Sequence, residues 1–156
     1  MTTAAPSPAG SVHIREAERA DLLAVYRIEQ ASFPQPWPFT AFEQYLGDPG
    51  FLVADDGTVA GYVVADVVAT HASPLGHIKD LAVREDRRRE GIGTLLLTSA
   101  LNVLDGQVNS VKLEVRENNE SAIELYGAHG FEFLRRLPEY YSDSEDALVL
   151  IRDLQQ

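Results

Sequence analysis

The chain contains no cysteine. That excludes a disulfide framework, a thiolate metal site and a cysteine nucleophile together. Its four histidines (His13, His71, His77, His129) show no H-x-x-x-H or similar spacing, so no metal site is expected. No apolar run approaches membrane-spanning length. Lysine is nearly absent: Lys79 and Lys112 stand against eleven arginines, a bias that fits a salt-adapted or a GC-rich source. Excess positive charge is missing too. The formal net charge of -11 argues against nonspecific nucleic-acid binding. It favours cationic partners such as amines or basic peptides, or simply maintains solubility. Residues Met1 to Ser11, rich in Ala, Pro, Ser, Thr and Gly, lack a basic start and an apolar core. They read as a disordered tail and not as a signal peptide, and a cytoplasmic protein is expected. The 156 residues otherwise suit one domain, over 12–154.

Against that acidic background, Arg87-Arg88-Arg89-Glu90-Gly91-Ile92-Gly93 stands out. It lies between a strand-like run, His77 to Val83, and a helix-like run, Thr94 to Leu104. A strand that feeds a glycine-containing loop and then a helix presents unpaired backbone N–H groups, which suits a phosphate or pyrophosphate. It is not a P-loop, since no G-x-x-x-x-G-K-[ST] occurs. Nor is it a full dinucleotide fingerprint, because Leu96 stands where the third glycine would fall. The plain alternative is an Arg-rich turn with a glycine-eased helix start.

Periodicity and punctuation order the rest. Val12-His13-Ile14 predicts a first strand, and Asp21 opens a helix carrying Leu22, Val25, Tyr26 and Ile28 at helical spacing. Phe33 to Pro38 predicts a rigid loop, with Pro38 in the first turn of a second helix, Phe39 to Leu46. Phe51 to Ala54 and Val59 to Thr70 predict a hairpin around Asp55-Asp56-Gly57. After the arginine loop, Ile92, Leu95, Leu96, Ala100, Val103 and Leu104 share one helix face. Val111 to Val115 is a strand, Asn118 or Asn119 caps a helix through Tyr126, and Gly130 closes it. Phe131 to Leu137 and Ala147 to Arg152 form a last strand pair. With no internal repeat and no linker, the chain reads as a single mixed α/β (α+β) domain.

The order β-α-α-β-β-β-α-β-α-β-β resembles the GCN5-related N-acetyltransferase family. Arg88-x-x-Gly91-x-Gly93, preceded by Leu81-Ala82-Val83, resembles that family's Q/R-x-x-G-x-G/A acetyl-CoA loop. Leu113-Glu114-Val115-Arg116-x-x-Asn119-x-x-Ala122-Ile123-x-Leu125-Tyr126-x-x-x-Gly130-Phe131 is similar to its RimI group of N-terminal acetyltransferases. Phe33-x-x-Pro36-Trp37, Tyr140-Tyr141 and Glu145-Asp146-Ala147 match that group as well. The resemblance covers residues 12 to 152. It implies a mixed, mostly antiparallel sheet of about seven strands with four helices and splayed central strands holding acetyl-CoA.

The resemblance also implies roles. Backbone amides of Arg89, Gly91, Gly93 and Thr94, within the loop that includes Glu90 and Ile92, would hold the pyrophosphate with the Arg88 side chain. Strand Leu81-Ala82-Val83 would splay from the Glu114 strand, receive the pantetheine arm and polarise the thioester carbonyl. Asn119 would bond the pantetheine, or serve only as a helix cap. Glu114 is the candidate general base, with partial burial raising its pKa toward neutrality; by alternation alone it would merely face solvent. Tyr126 is the candidate general acid for the departing thiolate, or a core tyrosine. Direct attack of an amine on acetyl-CoA is expected, with positioning carrying much of the rate.

At pH 7 an α-amine of pKa about 8 is roughly one-tenth neutral, whereas lysine is neutral in only a few parts per ten thousand. A single glutamate therefore suits a protein or peptide N-terminus better than a lysine. Phe33 and Trp37, with Tyr140 and Tyr141, would wall a groove for that acceptor, or only anchor their loops. Asp80, Glu139, Asp143 and Glu145 are candidates for negative potential near the amine. RimI-group relatives in bacteria act on a ribosomal protein, and archaeal relatives on a wider set of N-termini. A small-amine acetyltransferase, acting on polyamines or aminocyclitols, and a non-catalytic acyl-CoA sensor are the competing readings.

Overall fold

The computed structural model describes residues 11–154, so the expected tail over Met1 to Ser11, all but Ser11 itself, lies outside the described residues. Along the chain come β1 (His13–Glu16), α1 (Leu22–Ser32), α2 (Phe39–Glu43), β2 (Phe51–Asp55), β3 (Val59–Val68) and β4 (Leu75–Val83). Then follow α3 (Ile92–Leu104), β5 (Ser110–Arg116), α4 (Glu120–Ala128), β6 (Glu132–Leu137) and β7 (Ala147–Asp153). The seven strands form one sheet in the order β1-β2-β3-β4-β5-β7-β6. It is mixed: β1–β2, β2–β3, β5–β7 and β6–β7 pair antiparallel, while β4 and β5 run parallel with Gly76, His77 and Ile78 opposite Val111, Lys112 and Leu113.

The chain divides into two compact units, one comprising the residues up to Val64 with Asp80–Val103, the other Ala65–Lys79 with Leu104 onward. In the first unit α1 buries Leu22, Val25 and Ile28, and α2 contributes Phe42, against Phe51 and Val53 of β2 and Tyr62 and Val64 of β3. The three-residue spacing on α1 is what an amphipathic helix needs. Phe42 meets Tyr62 edge-on, with ring centroids 5.6 Å apart. Aromatic pairs favour this geometry because a positive ring edge faces a negative ring face.

Two local expectations shift. Asp21 stands at the N-cap of α1 without bonding it. Its carboxylate instead takes both Nη groups of Arg15, at 2.8 and 2.9 Å, and the Glu18 N–H. A bidentate, charge-assisted pair outcompetes a neutral cap bond. Helix α2 ends at Glu43 and not at Leu46, and Pro38 is its N-cap. The remaining residues tighten into i to i+3 bonds, Tyr45 N–H to Phe42 O and Leu46 N–H to Glu43 O, before Gly47 at φ 91°. Short helices commonly wind down this way.

Gly61 of β3 lies where only a glycine fits. A Cβ there would stand 2.9 Å from the Ala82 carbonyl oxygen of β4 and 3.1 Å from Leu96 of α3. In the second unit β5 alternates, with Val111, Leu113 and Val115 buried and Lys112 and Glu114 between them. That period of two puts the polar pair on the other face. Edge strand β6 exposes Phe133 and Leu134 and shifts register between Phe133 and Arg135.

Candidate active site

The arginine loop in the first unit separates its three guanidinium groups by task. Arg87 is half-buried and ties the loop together, pairing with Glu90 at 3.1 Å and with Asp56 of the β2–β3 turn. Arg88 turns its guanidinium back on the end of β4, donating from Nε to the Val83 carbonyl at 3.1 Å and from Nη2 to Ser32 Oγ at 3.4 Å. Arg89 is exposed and sits at φ 67°, with Gly91 at φ 85°. These left-handed residues turn the backbone so that α3 begins at Ile92, where the Leu95 N–H bonds the Gly91 carbonyl. Ile92, Gly93 and Thr94 are thus first-turn residues, whose N–H groups have no partner within a helix, an arrangement that with the helix dipole suits an anion.

Strand β4 carries Leu81, Ala82 and Val83, and the chain leaves it with the Arg84 N–H bonded to Ala60 O at 2.8 Å. Close by, Asp80 belongs to a carboxyl cluster. Tyr62 donates its hydroxyl to Glu29 Oε1 and lies 3.4 Å from Asp80 Oδ2. The other Glu29 oxygen, Oε2, accepts the backbone N–H of Trp37 at 2.9 Å. Burial, then the bond and charge from Glu29, push the Asp80 carboxyl well above the usual carboxylate range. Asp80 was expected to supply negative potential; burial and the neighbouring Glu29 carboxyl disfavour that charge instead, since two adjacent carboxylates cannot both ionise cheaply. Trp37 is anchored as well, its indole stacked 5.8 Å from Tyr45 and 5.2 Å from Phe42. Phe33 is half-buried and packs on the core of this unit.

In the second unit Glu114 is not the lone acid that its apolar strand suggested. His77 Nε2 lies 2.7 Å from Glu114 Oε1, and Lys112 Nζ lies 3.0 Å from Oε2. Burial raises the Glu114 pKa, but the bonds from His77 and Lys112 outweigh it and hold the carboxyl at about 2. The expected elevation toward neutrality is therefore reversed. Partial burial was the right cause with the wrong sign of outcome, because two cationic-type donors were close enough to dominate.

Tyr126 is 6% exposed and meets Phe131 edge-on at 5.7 Å, so its packing role is plain. Asn119, not Asn118, is the N-cap of α4, its Oδ1 accepting the Ala122 N–H at 3.3 Å. Tyr140 is exposed, with Tyr141 edge-on beside it at 5.0 Å. Arg116 stacks 4.1 Å over the Tyr141 ring and bonds Asp143 and Glu145, the latter also accepting the Asn118 N–H. Asp143 and Glu145 are thereby committed to a cation inside the protein. Burial pushes the Tyr141 phenol up to about 12.

Sequence reasoning missed His77, Glu29, Tyr62 and Arg116. A polar alternation, His77-x-Lys79 beside Lys112-x-Glu114, was the available signal for the first of these.

Residues 22–131 match the model of the acetyltransferase (GNAT) family. An N-alpha-acetyltransferase of Sulfolobus acidocaldarius is 36% identical over 154 residues, covering 90% of this chain and 92% of that protein. The [ribosomal protein bS18]-alanine N-acetyltransferase of Escherichia coli is 32% identical over 88% of this chain and 94% of its own. The crystal structure of Ard1 from Thermoplasma volcanium superposes with a TM-score of 0.84 at 33% identity, covering 94% of this chain and 99% of that one. With a family model matched over residues 22–131 and relatives more than 30% identical over about nine-tenths of its length, the chain belongs to the GNAT family of acetyltransferases.

Proposed function

We propose that the chain transfers the acetyl group of acetyl-CoA to the N-terminal α-amine of a protein or peptide. The observation that carries this reading is the His77–Glu114 pair, 2.7 Å apart on neighbouring parallel strands, in a chain whose N-alpha-acetyltransferase relatives match it nearly end to end. A carboxylate held near pKa 2 is far too weak to take a proton from an amine by itself. An imidazole bonded to that carboxylate is better suited as the base, with its ring orientation and tautomer fixed, as in a hydrolase triad.

In this mechanism His77 takes the amine proton, directly or through one water, at Nδ1, while Glu114 orients Nε2–H. The neutral amine attacks the thioester carbon, and the carbonyl oxygen gains charge against a backbone N–H of Leu81, Ala82 or Val83. Tyr126 returns a proton to the departing sulfur. The amides of Arg89, Gly91, Gly93 and Thr94 hold the pyrophosphate; Arg88 joins them once its guanidinium exchanges Val83 and Ser32 for a phosphate oxygen. Asn119 caps α4 and meets the pantetheine. Phe33 and Trp37, and separately Tyr140 and Tyr141, contact the first residues of the acceptor. A ribosomal protein is one candidate acceptor.

The test is a CoA-release assay with acetyl-CoA and a panel of acceptors: peptides with free Ala, Ser, Thr or Met starts, the same peptides N-blocked but carrying a lysine, and spermidine. Turnover confined to free N-termini is expected. Turnover with spermidine alone would move the chain to the small-amine class, and binding without turnover would make it a sensor.

A further inference from the structure

The carboxyl cluster of the first unit has no part in proton transfer as set out above. Yet it is built with care: Glu29 is 2% exposed and Tyr62 fully buried. Glu29 uses both oxygens as acceptors, Oε1 for the Tyr62 hydroxyl and Oε2 for the Trp37 N–H. The cluster runs across three elements, from β4 (Asp80) by way of β3 (Tyr62) to α1 (Glu29), and ends on the backbone of the segment linking α1 to α2. The Trp37 N–H donates from that segment's backbone to the buried Glu29 carboxylate at 2.9 Å, and this bond helps fix where the Phe33 to Pro38 turn sits.

We propose that Glu29 is a positioning residue for the acceptor, holding the Trp37 backbone in place through a hydrogen-bond relay that starts at Asp80 and passes Tyr62. The inference rests on the acceptor reading of the Phe33–Trp37 segment given above.

The relay works with Asp80 protonated. The titratable groups bearing on Asp80 are Glu29 from α1, whose bond and charge disfavour its ionisation, and Tyr62 from β3, whose hydroxyl with the Leu81 N–H favours it; burial and Glu29 prevail. The Tyr62 phenol is itself pushed well above its usual range, by burial first and then by Asp80 and Glu29, so it stays a donor. Loss of the Asp80 proton would remove the hydrogen from that end of the relay, put negative charge against the Glu29 carboxyl, and strain the group that holds the Trp37 N–H. Asparagine at 80 would keep a neutral donor of the same shape and have no proton to lose. Glutamine at 29 would turn one oxygen into a donor, facing either the Tyr62 hydroxyl or the Trp37 N–H, and so break one end of the relay.

Trp37 is the sole tryptophan, so its fluorescence reports on the segment without any substrate. The experiment compares wild type, Asp80→Asn and Glu29→Gln by Trp fluorescence against pH and by peptide and acetyl-CoA kinetics across the same pH range. Wild type is expected to show an alkaline change in Trp emission and a matching rise in peptide KM, with acetyl-CoA KM flat. Asp80→Asn should lose both alkaline changes. Glu29→Gln should raise peptide KM roughly tenfold or more at neutral pH, the scale of a lost bond to a charged group, with kcat at saturation nearly kept. Ionisation of the acceptor amine is common to all three proteins and cancels in the comparison. Identical alkaline behaviour of wild type and Asp80→Asn would overturn the relay. So would a Glu29→Gln protein whose acetyl-CoA KM and kcat fall as far as its peptide binding. No turnover by wild type on any free N-terminus would defeat the acceptor reading, while the fluorescence arm would still decide the relay.

Discussion

At the scale of single residues, the pairing of Glu114 with His77 and Lys112 separates catalysis from stability. Glu114→Gln and His77→Ala should each lower kcat by roughly a hundredfold or more, the usual share of general-base assistance, with acetyl-CoA KM little changed. Stopped-flow acetyl transfer would check this, and an unaltered kcat in His77→Ala would return the proton to some other group. The same contacts make Glu114 stabilise the fold where it is ionised. Its folded pKa lies near 2 against an ordinary 4.5, so the contribution is complete above pH 4.5 and disappears as pH falls through 2. On linkage grounds it amounts to on the order of 2 kcal/mol, after allowance for its partly hydrated setting. The Tm gap between wild type and Glu114→Gln should therefore narrow steadily on acidification from pH 5 to pH 2. Arg89, exposed and at φ 67°, gives a third test: Arg89→Gly relieves a left-handed backbone yet deletes a charge from the loop. Tm should rise by a degree or two while acetyl-CoA KM increases; a lowered KM would remove Arg89 from the pyrophosphate site.

At the scale of elements, Arg116 joins the end of β5 to the turn between β6 and β7 through Asp143, Glu145 and the Tyr141 ring. Lysine cannot reproduce the fork or the stacking, so Arg116→Lys should cost about 2 kcal/mol of stability and raise peptide KM more than acetyl-CoA KM. Gly127 of α4 is the opposite case. It has helical backbone and open space around a would-be Cβ, so Gly127→Ala should stabilise by about 0.5–1 kcal/mol, readable in urea melts. These elements also show what was legible beforehand. Strand and helix order could be read because period and punctuation are local: Asp55-Asp56-Gly57 turns a hairpin, and Leu22, Val25 and Ile28 make a stripe. The length of α2 could not, since residues 44–46 choose between two helical bonding patterns of nearly equal energy. The site was half legible. The arginine loop and Glu114 lie in contiguous motifs. The partners that set their chemistry do not: His77 reaches Glu114 across 37 residues, and Tyr62 reaches Glu29 across 33. Such contacts depend on register between distant segments, which no window of sequence carries, and they reversed the expected pKa shift of Glu114 and disfavoured the expected charge of Asp80.

At the scale of the whole molecule, the formal charge of -11 should act on encounter more than on chemistry. A peptide with basic residues after its free N-terminus should show a kcat/KM that falls as salt rises through the range where the Debye length shrinks from about 10 to 3 Å. A neutral peptide should show little salt dependence, and equal slopes for both would deny the acidity any part in recruiting the acceptor. Gly61 bears on the molecule's history in another way. The Ala82 carbonyl it faces belongs to the backbone, which cannot step aside as a side chain can, and Ala82 lies on the strand proposed to receive the thioester. Position 61 is thus closed to sequence drift for as long as that strand keeps its place. In a saturation library it should stay invariant while the hairpin around it diversifies. A single alanine there would test whether β4 can be displaced by a fraction of an ångström without loss of acetyl transfer.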